Sequence, residues 1–478
     1  MKTTFFNWVE AGEMEQSRSG SATGGALSRR HMLVAAGAGA AAFAAGRAYG
    51  RPQSAGQPLL FTNLRLFDGV TARLHDGRSV LVEGGRISAV LRGADRPTEG
   101  VQTIDCGGRT LMPGLIDAHW HSMLCAMSMM ELMTADLGLI TLAAAAEAER
   151  TLMRGFTSIR DLAGPAFSLK RAIDAGLAVG PRIWPSGAMI SQTGGHGDFR
   201  MPHEVPTAPG APLSRGEVLG AGAIADGTEQ VLKRSREQLM LGASQLKLAA
   251  GGGVASTYDP IDVAQYTEAE FRAAVDSAEN WGTYVTVHAY TPRAMQTAIR
   301  GGVRCIDHGQ MLDDETARMI AGEGVWFSSQ AFVAGPYANQ YPEGSASQVK
   351  QSVMFAGTDA AFELAKKHRL KTAWGTDILF DPAMTKNQGA ILAQMTRWYS
   401  SDEVLIMATS RNAELLGLSG ERNPYPGKLG VIEAGAYADL LIVDGDPLTD
   451  IALVADPEAN LRLIMKGGRI YKNRLLTA

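Results

Sequence analysis

Disulfides cannot hold this chain together. Three cysteines, Cys106, Cys125 and Cys305, in 478 residues are too few for a disulfide framework. Their expected role is that of small, buried apolar groups. Neither sign of charge dominates either: 45 basic residues stand against 49 acidic ones, for a net charge of −4. That balance gives no basic face for nucleic acid, so none is expected as a partner. Long apolar runs are also missing. The most apolar stretch, in the thirties and forties, is too short and too rich in Ala and Gly for a membrane span. What is present is ordinary globular usage, 45% hydrophobic and 20% charged, at a length that allows a large core and more than one domain. Fifty-five glycines suit the many tight turns of an α/β enzyme.

The first 55 residues read as a signal and linker. Residues 1–27 are polar and irregular, and Ser28-Arg29-Arg30-His31-Met32-Leu33-Val34 then leads into Ala/Gly-rich sequence. Paired arginines ahead of a mildly apolar segment resemble a bacterial twin-arginine signal, with Ala48-Tyr49-Gly50 as a small-residue cleavage site. The expectation is export to the periplasm or beyond. Residues 56–112 contain short apolar runs between Gly and Asp turns, the pattern of hairpins. Gly84-Gly85-Arg86-Ile87 recurs near the other end as Gly467-Gly468-Arg469-Ile470. Neither terminal half can bury a good core alone, so residues 56–112 and 425–478 are expected to pair as one composite β-sandwich.

Between them, over 113–424, apolar strands alternate with helical stretches. The strands are read at 111–119, 157–161, 182–187, 245–249, 284–288, 304–308, 325–329 and 371–376. Helical segments include 140–153, 229–241 and 268–281, the last opened by a Thr267/Glu270 capping box. Eight such units predict a (β/α)8 barrel, an α/β fold whose active site lies at the C-terminal ends of the strands. His119 and His121 end the first strand two residues apart, so they share a face and suit a transition metal. His288 and His308 end the fifth and sixth strands, and Asp377 follows the eighth. Lys247 sits inside the apolar fourth strand, where its charge is costly to bury. His196 occupies a Gly-rich loop after the third strand, and Tyr258 follows the glycines after the fourth. The methionines between 123 and 133 are expected to fill core or line the pocket.

At these positions the chain resembles the amidohydrolase superfamily. The resemblance rests on Pro113-Gly114-Leu115-Ile116-Asp117-Ala118-His119-Trp120-His121, the two later strand-end histidines, Gly375-Thr376-Asp377 and the split sandwich. The segments 155–161, 194–198 and Lys247-Leu248 ahead of Gly251-Gly252-Gly253-Val254 narrow it. They look like the imidazolonepropionase-like dipeptidases, which include Xaa-Pro dipeptidases and ochratoxin-hydrolysing enzymes.

The resemblance implies two divalent metal ions about 3.5–4 Å apart. His119, His121 and Asp377 would hold one; His288 and His308 would hold the other. Carboxylated Lys247 and a hydroxide would bridge them. Zinc fits this N/O donor set, with manganese and cobalt also compatible. Asp377 would carry the proton to the leaving nitrogen, His196 would polarise the scissile carbonyl and Tyr258 would bind a substrate carboxylate. The implied reaction is hydrolysis of dipeptides, N-acyl amino acids or ochratoxin-like amides by a homo-oligomer, octameric in many relatives. The competing readings are a mononuclear deaminase or cyclic-amide hydrolase, and a scaffold that has lost catalysis.

Overall fold

The computed structural model describes residues 57–93, 99–208 and 210–475. The paired arginines and the proposed cleavage position lie outside the described residues. Among the described residues, no helix is long and apolar enough to cross a membrane.

The chain begins with four strands of one sheet: β1 (Leu59–Leu66), β2 (His75–Glu83), β3 (Arg86–Arg92) and β4 (Gln102–Pro113). It leaves this sheet for the barrel strands β5 (Leu115–Trp120), β6 (Phe156–Asp161), β7 (Arg182–Pro185), β8 (Met189–Ser191), β9 (Gly222–Ile224), β10 (Leu246–Ala249), β11 (Val285–Ala289), β12 (Cys305–His308), β13 (Trp326–Ser329) and β14 (Lys371–Trp374). It then returns with β15 (Leu440–Val443), β16 (Leu461–Lys466) and β17 (Arg469–Asn473).

The two ends of the chain join in a single seven-stranded sheet of order β17-β16-β15-β4-β1-β2-β3. The joint is β4, parallel to β1 on one side and antiparallel to β15 on the other. The sheet curls back on itself. Ile87 N donates to the carbonyl of Ala436, and Ala438 N donates to that of Gly85. Phe61, Val80, Ile104 and Leu111 from one end of the chain therefore share a core with Ile442, Leu463 and Met465 from the other. The repeated Gly-Gly turns meet here. All four glycines adopt positive φ, and a Cβ on Gly468 would fall 2.8 Å from Gly85 Cα. Their role is close packing of two turns.

The predicted strand over 111–119 is in fact two. It breaks at Gly114, where a Cβ would meet Thr157 Oγ1 at 2.1 Å. β4 ends in the first sheet and β5 begins the barrel. The predicted strand over 182–187 is likewise interrupted. β7 pairs back to β6, while β8 pairs forward to β10 and β9. Gly187, at φ +75° and hemmed in by Gln238 and Phe167, makes the break.

The parallel barrel strands form two ladders, β5-β6-β7 and β14-β13-β12-β11-β10-β8-β9. They are stitched at two seams. Ser244 N donates to Pro185 O, and Asp377 N to His119 O. Helices Leu137–Met153, Gly227–Leu241 and Glu268–Asn280 occupy the segments expected of them, and the Thr267/Glu270 capping box is present. All three cysteines are buried and unpaired.

The barrel interior carries a buried ion network. Arg160 of β6, fully buried, donates to Asp307 Oδ1 at 2.6 Å, to Ala118 O, to Tyr284 Oη and to Ser328 Oγ. It thereby ties four strands together below the rim. Replacing it with Ala would strand these acceptors in a dry interior. A stability loss of about 3–5 kcal/mol is expected, as for breaking other buried ion pairs. Chemical denaturation of Arg160→Ala against wild type measures it.

Candidate active site

Seven of the eight side chains singled out in the sequence line one cleft at the C-terminal rim, of about 1050 Å³ including its mouth. They are His119, His121, His196, Lys247, His288, His308 and Asp377. Each arrives by strand geometry. His119 lies on β5 and His121 just past it, Lys247 lies within β10, His288 near the end of β11, and His308 ends β12. Asp377 lies three residues past β14.

The donors converge on Asp377. Its Oδ1 lies 3.0 Å from His119 Nε2 and 2.9 Å from His121 Nε2. Burial would raise this carboxyl, but His119 and His121 outweigh burial and hold it well below the usual carboxylate range. His308 and Asp377 both adopt left-handed backbone, φ +80° and +58°. For non-glycine residues that conformation costs about 1–3 kcal/mol and is concentrated at functional sites. At Gly375, a Cβ would lie 2.3 Å from the His119 backbone nitrogen. Glycine there lets the Asp377 segment come against β5.

The donor set fits divalent cations. His119, His308 and Asp377 each offer a ligand atom, all within 4.8 Å of one another. His121 Nδ1 is buried without a hydrogen-bond partner. The outer nitrogens are anchored as metal-bound imidazoles require: His288 Nε2 lies 2.9 Å from the Gly252 carbonyl, and His308 Nδ1 2.7 Å from Gln330 Oε1. Burial pushes both imidazoles well below the ordinary histidine value, into the neutral form that ligates metal.

Lys247 donates to Asp307 Oδ2 at 2.6 Å, and Asp307 in turn accepts from Thr286 Oγ1 and Arg160. Burial pulls the Lys247 amine below the ordinary lysine value, against the opposing pull of Asp307. Burial thus eases loss of the proton that a lysine must shed before it can react with CO₂, while the ion pair with Asp307 resists it.

His196 is held over the cleft by its own loop. Its Nδ1 lies 2.8 Å from Ser256 Oγ, and its ring stacks on His288 at 3.9 Å between centroids. Gly253 makes room for it: a Cβ there would sit 1.9 Å from Nδ1. Asp198 faces away from catalysis. It accepts from Gly194 N and pairs with Arg200, which fixes the loop.

Tyr258 does not join the cleft. Its hydroxyl donates to the Arg200 carbonyl at 2.6 Å, and the residue is 44% exposed. The methionines between 123 and 133 serve mainly as core filler, one of the two roles expected of them. Met123 and Met127 are buried in the core and Met130 is exposed, whereas Met189, Met354 and Met384 line the cleft.

Two groups of lining residues, and one carboxylate buried beneath the cleft, went unread. Tyr290 is buried against the His288 and His308 rings, at 4.8 and 5.3 Å between centroids. Its position two residues after His288 was a usable signal, since alternate strand residues share a face. Asp307 could have been noticed as a carboxylate inside an apolar strand. The loop after β13 supplies Phe332, Tyr337, Asn339 and Tyr341, and no motif announces it.

The model of the amidohydrolase family matches residues 110–470. Ochratoxinase of Aspergillus niger is 31% identical over 328 residues, covering 67% of this chain and 66% of the relative, so just under two thirds of that protein's length is spanned. Among solved structures, a prolidase complexed with N-methylphosphonate-L-proline superposes with a TM-score of 0.76 at 34% identity, over 87% of this chain and 100% of the other. A Xaa-Pro dipeptidase with methionine bound in its active site gives 0.75 at 27% identity, over 87% and 100%.

Proposed function

The chain belongs to the amidohydrolase family, and from that premise we propose that it is a binuclear metal-dependent hydrolase of amide bonds. Its substrates in this reading are dipeptides or N-acyl amino acids with a free carboxylate, including ochratoxin-like amides of phenylalanine. The observation that carries the reading is the gathering of seven chemistry-bearing side chains, from six barrel strands or their loops, in one aromatic-walled cleft.

Two divalent cations, zinc by donor chemistry, held by His119, His121 and Asp377 and by His288 and His308 with carboxylated Lys247 between them, would acidify water and polarise the carbonyl. The chain's own groups do the rest. Asp377 takes the proton of the attacking water and passes it to the leaving nitrogen. His196, with Nδ1 turned to Ser256, has Nε2 left to donate to the carbonyl oxygen. Tyr290, Asn339, Tyr341 and Gln351 provide neutral donors for the carboxylate end. Phe199, Phe332, Phe355 and Phe380 exclude water and suit a bulky apolar side chain. The prolidase seen with a phosphonate analogue of proline supports the substrate class, because a tetrahedral phosphonate imitates a hydrated amide carbonyl.

A panel of dipeptides and N-acyl amino acids, tested with metal-loaded protein whose metal content is measured in parallel, decides between the readings. Two metals per chain and turnover of these amides are expected. One metal with preferred cleavage of cyclic amides or deamination would favour the mononuclear alternative, and neither metal nor turnover would favour the scaffold. Within the panel, N-acyl-phenylalanine should exceed its methyl ester in kcat/KM by a factor equivalent to about 1–3 kcal/mol, the cost of leaving buried donors unpaired. Equal cleavage of acid and ester would remove the carboxylate requirement.

The reading extends to export and assembly. The Arg29-Arg30 pair marks the chain for twin-arginine export to the periplasm or outside, where it would act as a homo-oligomer. Arg29→Lys combined with Arg30→Lys should leave the precursor unprocessed in the cytoplasm. Unchanged processing on an immunoblot of cell fractions would discard the export assignment.

A further inference from the structure

Behind His196 lies a layer of polar groups that the proposed reaction does not use. Lys350, in helix Ala346–Lys367, reaches the loop after β10 and donates from Nζ to the carbonyls of Ser256 at 2.8 Å and Gly253 at 3.0 Å. Its side chain is 11% exposed. Ser256 Oγ has two competing neighbours, the Gly253 carbonyl at 3.2 Å and His196 Nδ1 at 2.8 Å. Asp259 completes the layer. Its Oδ2 accepts from Gly253 N at 2.8 Å and lies 3.7 Å from His196 Nδ1, while its buried Oδ1 has no hydrogen-bond partner and lies 4.0 Å from Lys350 Nζ.

From this arrangement, and resting on the carbonyl-donor role given to His196 above, we propose that Lys350 is a positioning residue that sets the tautomer of His196. A serine hydroxyl has one hydrogen to give. The Gly253 carbonyl can accept twice, but sharing it with the ammonium of Lys350 weakens it as an acceptor for the hydroxyl, and that hydrogen goes to the nearer acceptor, His196 Nδ1. The imidazole hydrogen then sits on Nε2, the nitrogen left for the cleft, and can be donated to a substrate carbonyl. Lys350 also offsets the charge of Asp259, which would otherwise draw the imidazole hydrogen to Nδ1. Without the ammonium, the Ser256 hydroxyl turns to the Gly253 carbonyl, Nδ1–H donates to Ser256, and Nε2 presents a lone pair. The imidazole stays neutral in both states; only the position of its hydrogen differs.

The same helix carries Gln351, Met354 and Phe355 into the cleft. Lys350 therefore also joins the wall after β13 to the loop after β10.

The test reads the tautomer directly. In metal-loaded protein labelled with ¹⁵N-histidine, His196 is assigned by loss of its signals in His196→Gln. Wild type should show the Nε2–H tautomer. Lys350→Met and Ser256→Ala should each shift it toward Nδ1–H and lower kcat by about tenfold or more, short of the 10²–10³-fold that outright deletion of a transition-state donor costs, because the imidazole itself stays. KM should change little. Lys350→Arg, which keeps donors and charge, should restore both. An unchanged His196 tautomer in Lys350→Met and Ser256→Ala overturns the proposal whatever the activity. A shifted tautomer with unaltered kcat leaves the positioning role standing and instead removes His196 from the reaction. If Lys350→Met fails to fold, Lys350→Gln, which keeps a donor and removes the charge, takes its place with the same two outcomes.

Discussion

Asp377→Asn is expected to lower kcat by at least ~10²-fold, the usual size of a general acid–base contribution, while the protein keeps its fold. Asparagine has the same shape and still offers an oxygen, so the contacts with His119 and His121 Nε2 at 3.0 and 2.9 Å can persist. It also tolerates the left-handed backbone required at φ +58° better than most residues, which makes it a cleaner probe than alanine. What it lacks is a carboxylate to take a proton and return it to the leaving nitrogen. The defect should fall on kcat rather than KM, because proton transfer belongs to the transition state and not to substrate binding. Steady-state kinetics beside a thermal melt measure both quantities. Turnover within tenfold of wild type, at unchanged metal content, would move the proton transfer to another group, with His196 the nearest candidate.

How much of this site could be read from the sequence depends on the kind of signal each residue leaves. The histidines on β5, β11 and β12 stand at the ends of apolar strands. A barrel places every such end on one rim, so linear order alone predicts their meeting. Lys247 was legible for the opposite reason, as a charge in a strand with no surface to reach. Interruptions were not legible. A run such as 111–119 looks continuous because apolar residues on both sides of Gly114 are buried. The break depends on Thr157 approaching from another strand, which periodicity does not encode. The partner of Tyr258 was not legible either: its hydroxyl donates to the Arg200 carbonyl. The loop after β13 was invisible because its Phe, Tyr and Asn side chains are ordinary loop composition. They become a wall only when helix Ala346–Lys367 holds the segment over the rim. Strand periodicity thus located the reacting groups, while the groups that choose a substrate came from long loops.

Lys247→Ala is the second large effect, and it separates the binuclear reading from its rivals. The lysine is 2% exposed and its nitrogen lies 2.6 Å from Asp307. Burial disfavours the ammonium, Asp307 opposes that pull, and the balance falls below the ordinary lysine value. A neutral amine can add to CO₂, and the resulting carbamate would keep an N–H for Asp307 while its two oxygens faced the cleft. Alanine removes those oxygens. Arg160 and Thr286 still compensate Asp307, so the barrel should fold with a reduced melting temperature. Metal content should drop from two per chain toward one, and kcat/KM by at least ~10²-fold, beyond the 10–100-fold typical of losing an outer-shell partner. Elemental analysis and kinetics on the same preparation give both numbers. Intact-protein mass spectrometry under CO₂-retaining conditions adds a third readout, an adduct present in wild type and absent from the variant. Two bound metals and near-normal turnover in Lys247→Ala would sink the bridging role. A single metal already present in wild type would instead point to the mononuclear deaminase or cyclic-amide reading, with Lys247 serving only to pair with Asp307.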